Sequence, residues 1–238
     1  GRWFVPDPLA EETVWSSPFS FNQNNPINRI DFTGRKDNPV YDTYGNFLGT
    51  NDLGLQGDAI IMDRSDFKQG MALEASMSKH KGYNSFVSED AKNKFLEHYG
   101  NLPNRPDYDG YLTLNEANKW YREGNGQPLF VSLEKIDMSG VYSKGDKAID
   151  EYWTINLLRQ SKSINDGLVY GSIQIKQYPN DYVRAYADTY DFEMHPWEWS
   201  TLKRNIFTII GRIYAGKGTK YEINIYGSKK LQKEPQKH

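Results

Sequence analysis

The alternation of apolar and polar positions predicts several short strands. In the range 128–136, Leu129, Val131 and Leu133 alternate with more polar neighbours, a period of two that is typical of a strand. Leu168 to Gln177 and Tyr182 to Tyr190 also have strand-like sequences. The turn-forming residues 179–181, Pro-Asn-Asp, separate these two segments, so we expect an antiparallel hairpin.

Other segments have apolar residues at the spacing of a helix. Ser88 precedes two acidic residues, as a helix N-cap does, and Ala91, Phe95 and Tyr99 recur every four residues as a buried stripe would. Further helices are predicted at Leu114 to Arg122, Ile149 to Arg159 and Leu202 to Tyr214, a turn at Asn165 to Gly167, a last strand at Lys220 to Tyr226, and a mobile charged tail at Lys229 to His238. Antiparallel strands interspersed with helices predict an α+β fold, an antiparallel sheet with several helices packed on it.

Composition limits the classes of function. The 29 basic and 31 acidic residues nearly balance, so the net charge of −2 provides no general attraction for nucleic acid. The chain has no cysteine, which excludes disulfides, thiolate zinc sites and a cysteine nucleophile. No apolar run approaches the roughly 18 residues of a transmembrane helix. The chain starts at Gly1 rather than at a methionine, so we interpret it as a fragment of a longer protein.

The N-terminal segment is irregular, rich in aromatic residues, proline and asparagine, and lacks helical periodicity. This segment resembles the end of an RHS/YD-repeat-associated core domain at Gly1–Leu9, Trp15–Phe19 and Asn24–Gly34. Phe32 of this chain stands where that family has a proline. The resemblance implies an RHS-core-like tail at residues 1–40 and a C-terminal toxin-like module at 41–238. It also implies secretion or display at the cell surface as part of a larger chain.

A second motif resembles an EF-hand calcium loop. With Gly110 at the sharp turn, Asp107 and Asp109 would be ligands and Glu116 the closing bidentate carboxylate, although Arg105 falls on the first ligand position. In the alternative interpretation, the helix begins after Thr113 and Glu116 completes a capping box. Both interpretations stay open at this stage.

A cluster of acidic and proton-carrying side chains follows the predicted hairpin. Residues 188–195 read Asp-Thr-Tyr-Asp-Phe-Glu-Met-His. By alternation Asp188 and Tyr190 share one side of the strand, so it must end or bend near Tyr190 for Asp188 to converge with Asp191. Carboxylates suit Mg²⁺ or Ca²⁺, and the imidazole of His195 can move a proton near neutral pH. Structural roles stay open too, such as a bridge from Asp188 to Arg184.

The cluster resembles the catalytic end of colicin M-type bacteriocins. That family carries Asp-x-Tyr-Asp followed by a His-Arg pair; here Asp188, Tyr190 and Asp191 match. His195 follows at a shorter spacing than in the family, and Pro196 stands in place of the arginine. The family cleaves lipid II, the undecaprenyl-linked peptidoglycan precursor, between lipid and pyrophosphate, and requires a divalent cation.

The resemblance implies a hydrolase of a phosphodiester or pyrophosphate bond in a cell-envelope lipid precursor, with Mg²⁺ or Ca²⁺ as cofactor. Asp188 and Asp191 would bind the metal or activate water, His195 would be the acid–base, and Tyr190 and Arg204 would steady the pyrophosphate. As for any such toxin, an immunity protein is an expected partner. A metal-dependent nuclease and a non-enzymatic surface-binding or structural module are the alternatives.

Overall fold

A computed structural model describes residues 38–190 and 217–234 of the chain. The chain forms two compact units, which divide between Asp109 and Gly110. The predicted RHS-core-like segment (1–34) and the predicted helix at 202–214 lie outside the described residues. Among the residues described, no helix is both long and apolar enough to cross a membrane.

The first unit contains a small mixed sheet. Strand β1 (Pro39–Tyr41) pairs antiparallel with β2 (Phe47–Thr50) and parallel with β3 (Ile60–Ile61). The β1–β2 turn is fixed by the Asp42 carboxylate, which accepts hydrogen bonds from the backbone amides two and four residues further on, at 3.0 and 2.8 Å. Gly45 in this turn has a φ of +76°, and an added Cβ would lie 2.0 Å from a helix carbonyl, so only glycine fits.

The first unit also confirms the best-defined helix prediction. Helix α1 spans Leu73–Ser78 and α2 spans Glu89–Asn101. The Ser88 side chain accepts the Ala91 amide as the N-cap, and the predicted stripe of Ala91, Phe95 and Tyr99 is the buried face of α2. A 3₁₀ turn containing Pro103 follows the helix directly.

The second unit contains the remaining elements. The helices are α3 (Leu114–Glu123), α4 (Leu157–Gln160) and α5 (Ile164–Tyr170). The strands are β4 (Leu129–Ser132), β5 (Tyr142–Ser143), β6 (Tyr152–Asn156), β7 (Ser172–Gln177), β8 (Tyr182–Ala185), β9 (Asp188–Tyr190), β10 (Tyr221–Tyr226), β11 (Lys229–Lys230) and β12 (Gln232–Lys233). This mixture of helices and largely antiparallel sheets confirms the α+β fold class.

The strands of the second unit form three sheets. Strand β10 lies between β4, to which it is parallel, and β9, to which it is antiparallel. An antiparallel sheet has the order β11-β8-β7-β6, and β12 pairs parallel with β5. Side chains from β4, β6, β7, β8 and β10 share one hydrophobic core, in which Val131, Ile155, Ile175, Val183 and Ile223 are buried.

The helix predicted for residues 149–159 is wrong. Residues 152–156 form strand β6, which pairs with β7 over five residues, with Trp153 opposite Ile175 and Ile155 opposite Ile173. Within the predicted range, only the residues of α4, which follow β6 directly in the sequence, are helical. Aromatic and β-branched residues favour the pleated surface of a sheet, and the long ladder with β7 outweighs the local helical spacing.

The neighbouring segment also differs from the prediction. The predicted turn at 165–167 lies inside α5, whose N-cap is Ser163, since its side chain accepts the Asp166 amide. Because α5 extends to Tyr170, β7 begins at Ser172 rather than at Leu168. The hairpin itself is confirmed, since β7 and β8 are antiparallel. In the predicted mobile tail, residues 229–233 form β11 and β12 around Leu231, which is buried in the core.

Candidate functional site

Two residues of the candidate motif lie in strand β9. The register pairs Asp188 with Ile223 and Tyr190 with Tyr221 of β10. Asp191, His195 and Arg204 lie outside the described residues. Their convergence with Asp188, and with it the catalytic and metal-binding assignment, therefore stays a prediction.

The strand that supports this motif is firmly held. Tyr221 and Ile223 of β10 are 2% and 1% exposed, and both belong to the main core. The hydroxyl of Tyr221 donates a hydrogen bond of 3.0 Å to the carbonyl of Ala117 in α3. The backbone of the motif is consequently paired with a strand that is anchored in the core, which favours a precisely positioned site.

The approach to the motif differs from the predicted continuous strand over 182–190. Strand β8 ends at Ala185, the amide of Tyr186 still donates to Gln174 of β7 at 3.0 Å, and the chain then leaves that sheet. After Ala187 it starts β9 in the sheet of β10. The parity counted from residue 182 therefore does not carry over to Asp188, because a chain that changes sheets bends where it crosses.

The predicted EF-hand residues of the first unit have other surroundings. Asp107 is fully buried, and Arg105 binds its two carboxylate oxygens through Nε and Nη2 at 2.9 and 2.8 Å. A buried carboxylate held by a two-pronged guanidinium is a compensated structural ion pair. Asp109 is exposed.

Glu116, the predicted closing ligand, belongs to the second unit and caps α3. Its Oε2 accepts the Thr113 amide at 2.9 Å, and the Thr113 hydroxyl accepts the Glu116 amide. The capping-box interpretation is therefore confirmed. Across residues 38–190 and 217–234, no three or more histidine, aspartate or glutamate side chains form a group that could hold a metal ion.

Sequence reasoning missed a carboxylate pair in the second unit. Asp166 is buried; its carboxylate accepts the Tyr111 hydroxyl and the Asp137 amide, both at 2.7 Å. Burial, together with the hydrogen bond that its hydroxyl donates to Asp166, raises the pKa of Tyr111. The capping spacing from Ser163 to Asp166 was the one available signal, and the turn interpretation obscured it.

Asp137 is the other member of the pair and orders the segment before α5. One carboxylate oxygen accepts the Ser161 hydroxyl and the amides of Lys162 and Ser163, at 2.9, 2.6 and 2.9 Å, while the other accepts the Ser139 amide at 2.9 Å. Burial acts to raise the pKa of this carboxyl, but the hydrogen bonds outweigh burial and hold the pKa well below its usual range. An ionised, fully hydrogen-bonded carboxylate of this kind has a structural role.

The first unit contains a pair that was also missed, between the buried Tyr41 and the half-buried His98. The Tyr41 hydroxyl lies 2.9 Å from Nδ1 of His98, whose ring stacks on Phe47 at 4.8 Å. Burial raises the pKa of Tyr41, whereas burial and the nearby charge of Arg105 lower the pKa of His98. Tyr41 has no exposed surface, so this pair stabilises the unit rather than meeting a substrate.

The solved structures with which the chain aligns include pectocin M2, PaeM and syringacin M. PaeM is a colicin M-like bacteriocin produced by Pseudomonas aeruginosa. It aligns with this chain with a TM-score of 0.36 and 19% identity, over 61% of this chain and 64% of that one. Pectocin M2 gives a TM-score of 0.30 and 17% identity, and the chain spans about half its length, 48% of each chain being covered.

The third structure is the truncated bacteriocin syringacin M from Pseudomonas syringae pv. tomato DC3000. It aligns with a TM-score of 0.29 and 15% identity over 58% of this chain and 72% of that one. At these scores the likeness establishes neither the fold nor the activity of the present chain. No protein-family model matches it, and no curated protein matches it.

Proposed function

We propose that this chain is a toxin-like hydrolase that cleaves a phosphodiester or pyrophosphate bond in a cell-envelope lipid precursor of the lipid II type. The observation that carries the proposal is the motif Asp188-x-Tyr190-Asp191 followed by His195, whose first three residues form β9. Strand β10, whose Tyr221 and Ile223 belong to the core, pairs with β9 and supports its backbone, as a catalytic motif requires.

The residue types of the motif suit this chemistry. Asp188 and Asp191 would hold Mg²⁺ or Ca²⁺, hard cations that prefer carboxylate oxygen, and the ion would neutralise charge on the phosphoryl oxygens. His195 would exchange a proton with the attacking water or the leaving group. Tyr190 and Arg204 would hold the pyrophosphate oxygens, Arg204 by charge-assisted hydrogen bonds.

The proposal extends to the organisation of the protein. Residues 1–40 would be the tail of an RHS-type shell and 41–238 the toxin-like module, which is secreted or displayed as part of a larger chain. An immunity protein would protect the producing cell by binding this module. The boundary between the two compact units, after Asp109, lies inside the proposed module.

A product assay on purified lipid II in detergent tests the proposed activity. The protein is incubated with and without Mg²⁺, and release of the pyrophosphate-linked head group from the polyprenol is followed by chromatography. We expect Asp191→Ala to lower the rate by about a hundredfold or more, the usual contribution of a group that activates water. Asp146→Ala, which removes an exposed carboxylate of the second unit, should leave the rate unchanged.

Single-stranded and double-stranded nucleic acids serve as parallel substrates in the same assay. Cleavage of nucleic acid but not of lipid II, with the same loss in Asp191→Ala, would replace the proposal with the nuclease alternative. Equal rates for Asp191→Ala and wild type would remove the motif from the reaction. Turnover of neither substrate would leave a binding module as the better interpretation.

A further inference from the structure

The four-stranded sheet of the second unit has two very different edges. Its order is β11-β8-β7-β6, so β11 lies at one edge and β6 at the other. Strand β11 has only two residues, Lys229 and Lys230. Short strands and lysines are common protections of a sheet edge against pairing with another chain. Strand β6 lacks both protections, since it reads Tyr-Trp-Thr-Ile-Asn and pairs with β7 over five residues without a bulge.

Hydrogen bonds at the two ends of β6 show which of its backbone groups face outward. The carbonyl of Glu151 and the amide of Leu157 both bond to β7 or to the residue that precedes it. Because bonding alternates along an antiparallel strand, the odd-numbered residues of β6 face β7. The amides and carbonyls of Tyr152, Thr154 and Asn156 therefore lie at the outer edge.

This outer edge of β6 is accessible. Tyr152 and Thr154 are exposed, and no strand within residues 38–190 and 217–234 pairs with this side of β6. The Asn156 amide is the exception to an open edge, since the side-chain oxygen of Gln160 accepts it at 2.9 Å. A row of accessible amides and carbonyls is a template for a further strand.

We propose that β6 pairs antiparallel with β6 of a second copy of this chain, about a two-fold axis. Full overlap of the strand places Thr154 opposite Thr154, and Tyr152 opposite Asn156 of the second copy. Facing threonines are a favourable cross-strand pair, and β6 contains no charge that would meet a like charge. Because the other sheet edge is short and carries lysines, the assembly closes as a dimer instead of growing into a fibre.

The charges that flank β6 select an antiparallel second copy. Glu151 precedes the strand and Arg159 follows it, and both side chains are exposed. In the antiparallel register Glu151 lies opposite Leu157 of the second copy, two residues before its arginine. Parallel pairing of identical strands would instead bring like charges together, which is unfavourable. The segment is therefore complementary to itself in one direction only.

Gln160 opposes this pairing and provides a specific prediction. In the proposed register the Asn156 amide donates to the Tyr152 carbonyl of the second copy, so Gln160 must first release that amide. Gln160→Ala removes the competing acceptor. We expect this variant to lower the dissociation constant of the dimer several-fold.

Sedimentation equilibrium of the full chain, from micromolar to millimolar concentration, tests the pairing. We expect monomer and dimer without larger species. Thr154→Pro removes an amide that faces away from β7, as an edge strand tolerates, and should raise the dissociation constant about tenfold or more. Thr154→Ser is the matched control and should dimerise as wild type does. Urea unfolding shows whether each variant is folded.

A second variant keeps the proposal testable if proline disturbs the fold. Thr154→Lys places two ammonium groups opposite each other across the two-fold axis and should also prevent pairing. Gln127→Lys adds the same charge at an exposed residue of the second unit away from β6 and should leave the dimer unchanged.

Disulfide formation tests the register. The chain has no cysteine, so Thr154→Cys introduces a single thiol. Facing residues of a hydrogen-bonded antiparallel pair have Cα atoms about 5.5 Å apart, within the range of a disulfide. Under mild oxidation this variant should form a linked dimer much faster than Gln127→Cys.

Four outcomes would overturn the proposal. The first is a monomer at every concentration, and the second is equal dimerisation of Thr154→Pro, Thr154→Lys and wild type. The third is cross-linking of Thr154→Cys no faster than that of Gln127→Cys, which would show random collision or another interface. The fourth is a dimer that Gln160→Ala weakens, because the proposed register requires the opposite.

Discussion

Asp137→Asn should destabilise the second unit by about 2–4 kcal/mol. Three donors converge on one carboxylate oxygen of Asp137 and the Ser139 amide binds the other. An asparagine side chain has a single acceptor oxygen, so its amino group must face a donor on one side. The change removes one bond to a charged acceptor, worth about 1.5–3 kcal/mol, and weakens the remaining ones by removing their charge assistance.

Urea unfolding at pH 7 measures the destabilisation, with Asp146→Asn as the control for an exposed aspartate. Hydrogen exchange of the Lys162 and Ser163 amides tests the mechanism, because both amides donate to Asp137 and should exchange faster in the variant. A loss below about 0.5 kcal/mol, or unchanged exchange at both amides, would refute this account of Asp137.

The pH dependence of the same variant provides a second check. The native pKa of Asp137 is lowered below its ordinary value of 3.8, so its stabilisation is fully present above that value. It is lost as the pH falls through the native pKa, when the carboxyl becomes protonated. The stability difference between wild type and Asp137→Asn should therefore shrink below about pH 4; a constant difference down to pH 2 would contradict the assignment.

Three further predictions concern the supports of the two units. Burial lowers the native pKa of His98 below its ordinary value of 6.5, so its contribution to stability should be present above pH 6.5 and lost on acidification. His98→Gln keeps an acceptor for the Tyr41 hydroxyl and should flatten this pH dependence of the unfolding free energy, measured by urea titrations at pH 5 to 8. Tyr221→Phe should lower the free energy of unfolding by about 0.5–1.5 kcal/mol, because the hydrogen bond from the Tyr221 hydroxyl to a carbonyl of α3 is lost; no loss would contradict the importance of that bond. Gly218→Ala should lower the melting temperature, since its Cβ would lie 2.1 Å from another carbonyl of α3, whereas Gly100→Ala in α2, with open space around it, should raise it.

Helices with local end signals could be predicted from the sequence. Ser88 caps its helix as expected, and Thr113 caps its helix as one of the two interpretations predicted, since a cap and the turn it closes are adjacent in the chain. The hairpin of β7 and β8 was predictable for the same reason, because its turn residues lie between the two strands.

Elements stabilised by distant partners were not predictable. Strand β6 has leucines and a tryptophan at helical spacing around it, and only the ladder with β7 makes it extended. The tail around Leu231 looks polar in sequence, but its strands pair with β5 and β8 and one leucine enters the core. Sequence patterns report local preference, and tertiary pairing overrode that preference here.

In the candidate site, too, some features could be predicted from local sequence and others could not. The strand conformation of Asp188 and Tyr190 agrees with the prediction, since the apolar alternation there was visible. The change of sheet between Tyr186 and Asp188 was not, because nothing in the local pattern marks where one sheet gives way to another. Asp137 was not predictable, because a network of carboxylates and backbone amides has no fixed sequence spacing, whereas Asp166 was marked only by its capping distance from Ser163.

The parallel pairing of β4 with β10 has a consequence for how the chain folds. Residue 129 is matched with residue 223, so the ladder can form only after a very long loop has closed, and such closures are slow. During synthesis both β4 and β9 leave the ribosome before the strand that joins them. The motif strand consequently acquires its supporting ladder late, and until then the edges of β4 and β9 that later pair with β10 are open to chaperones and proteases.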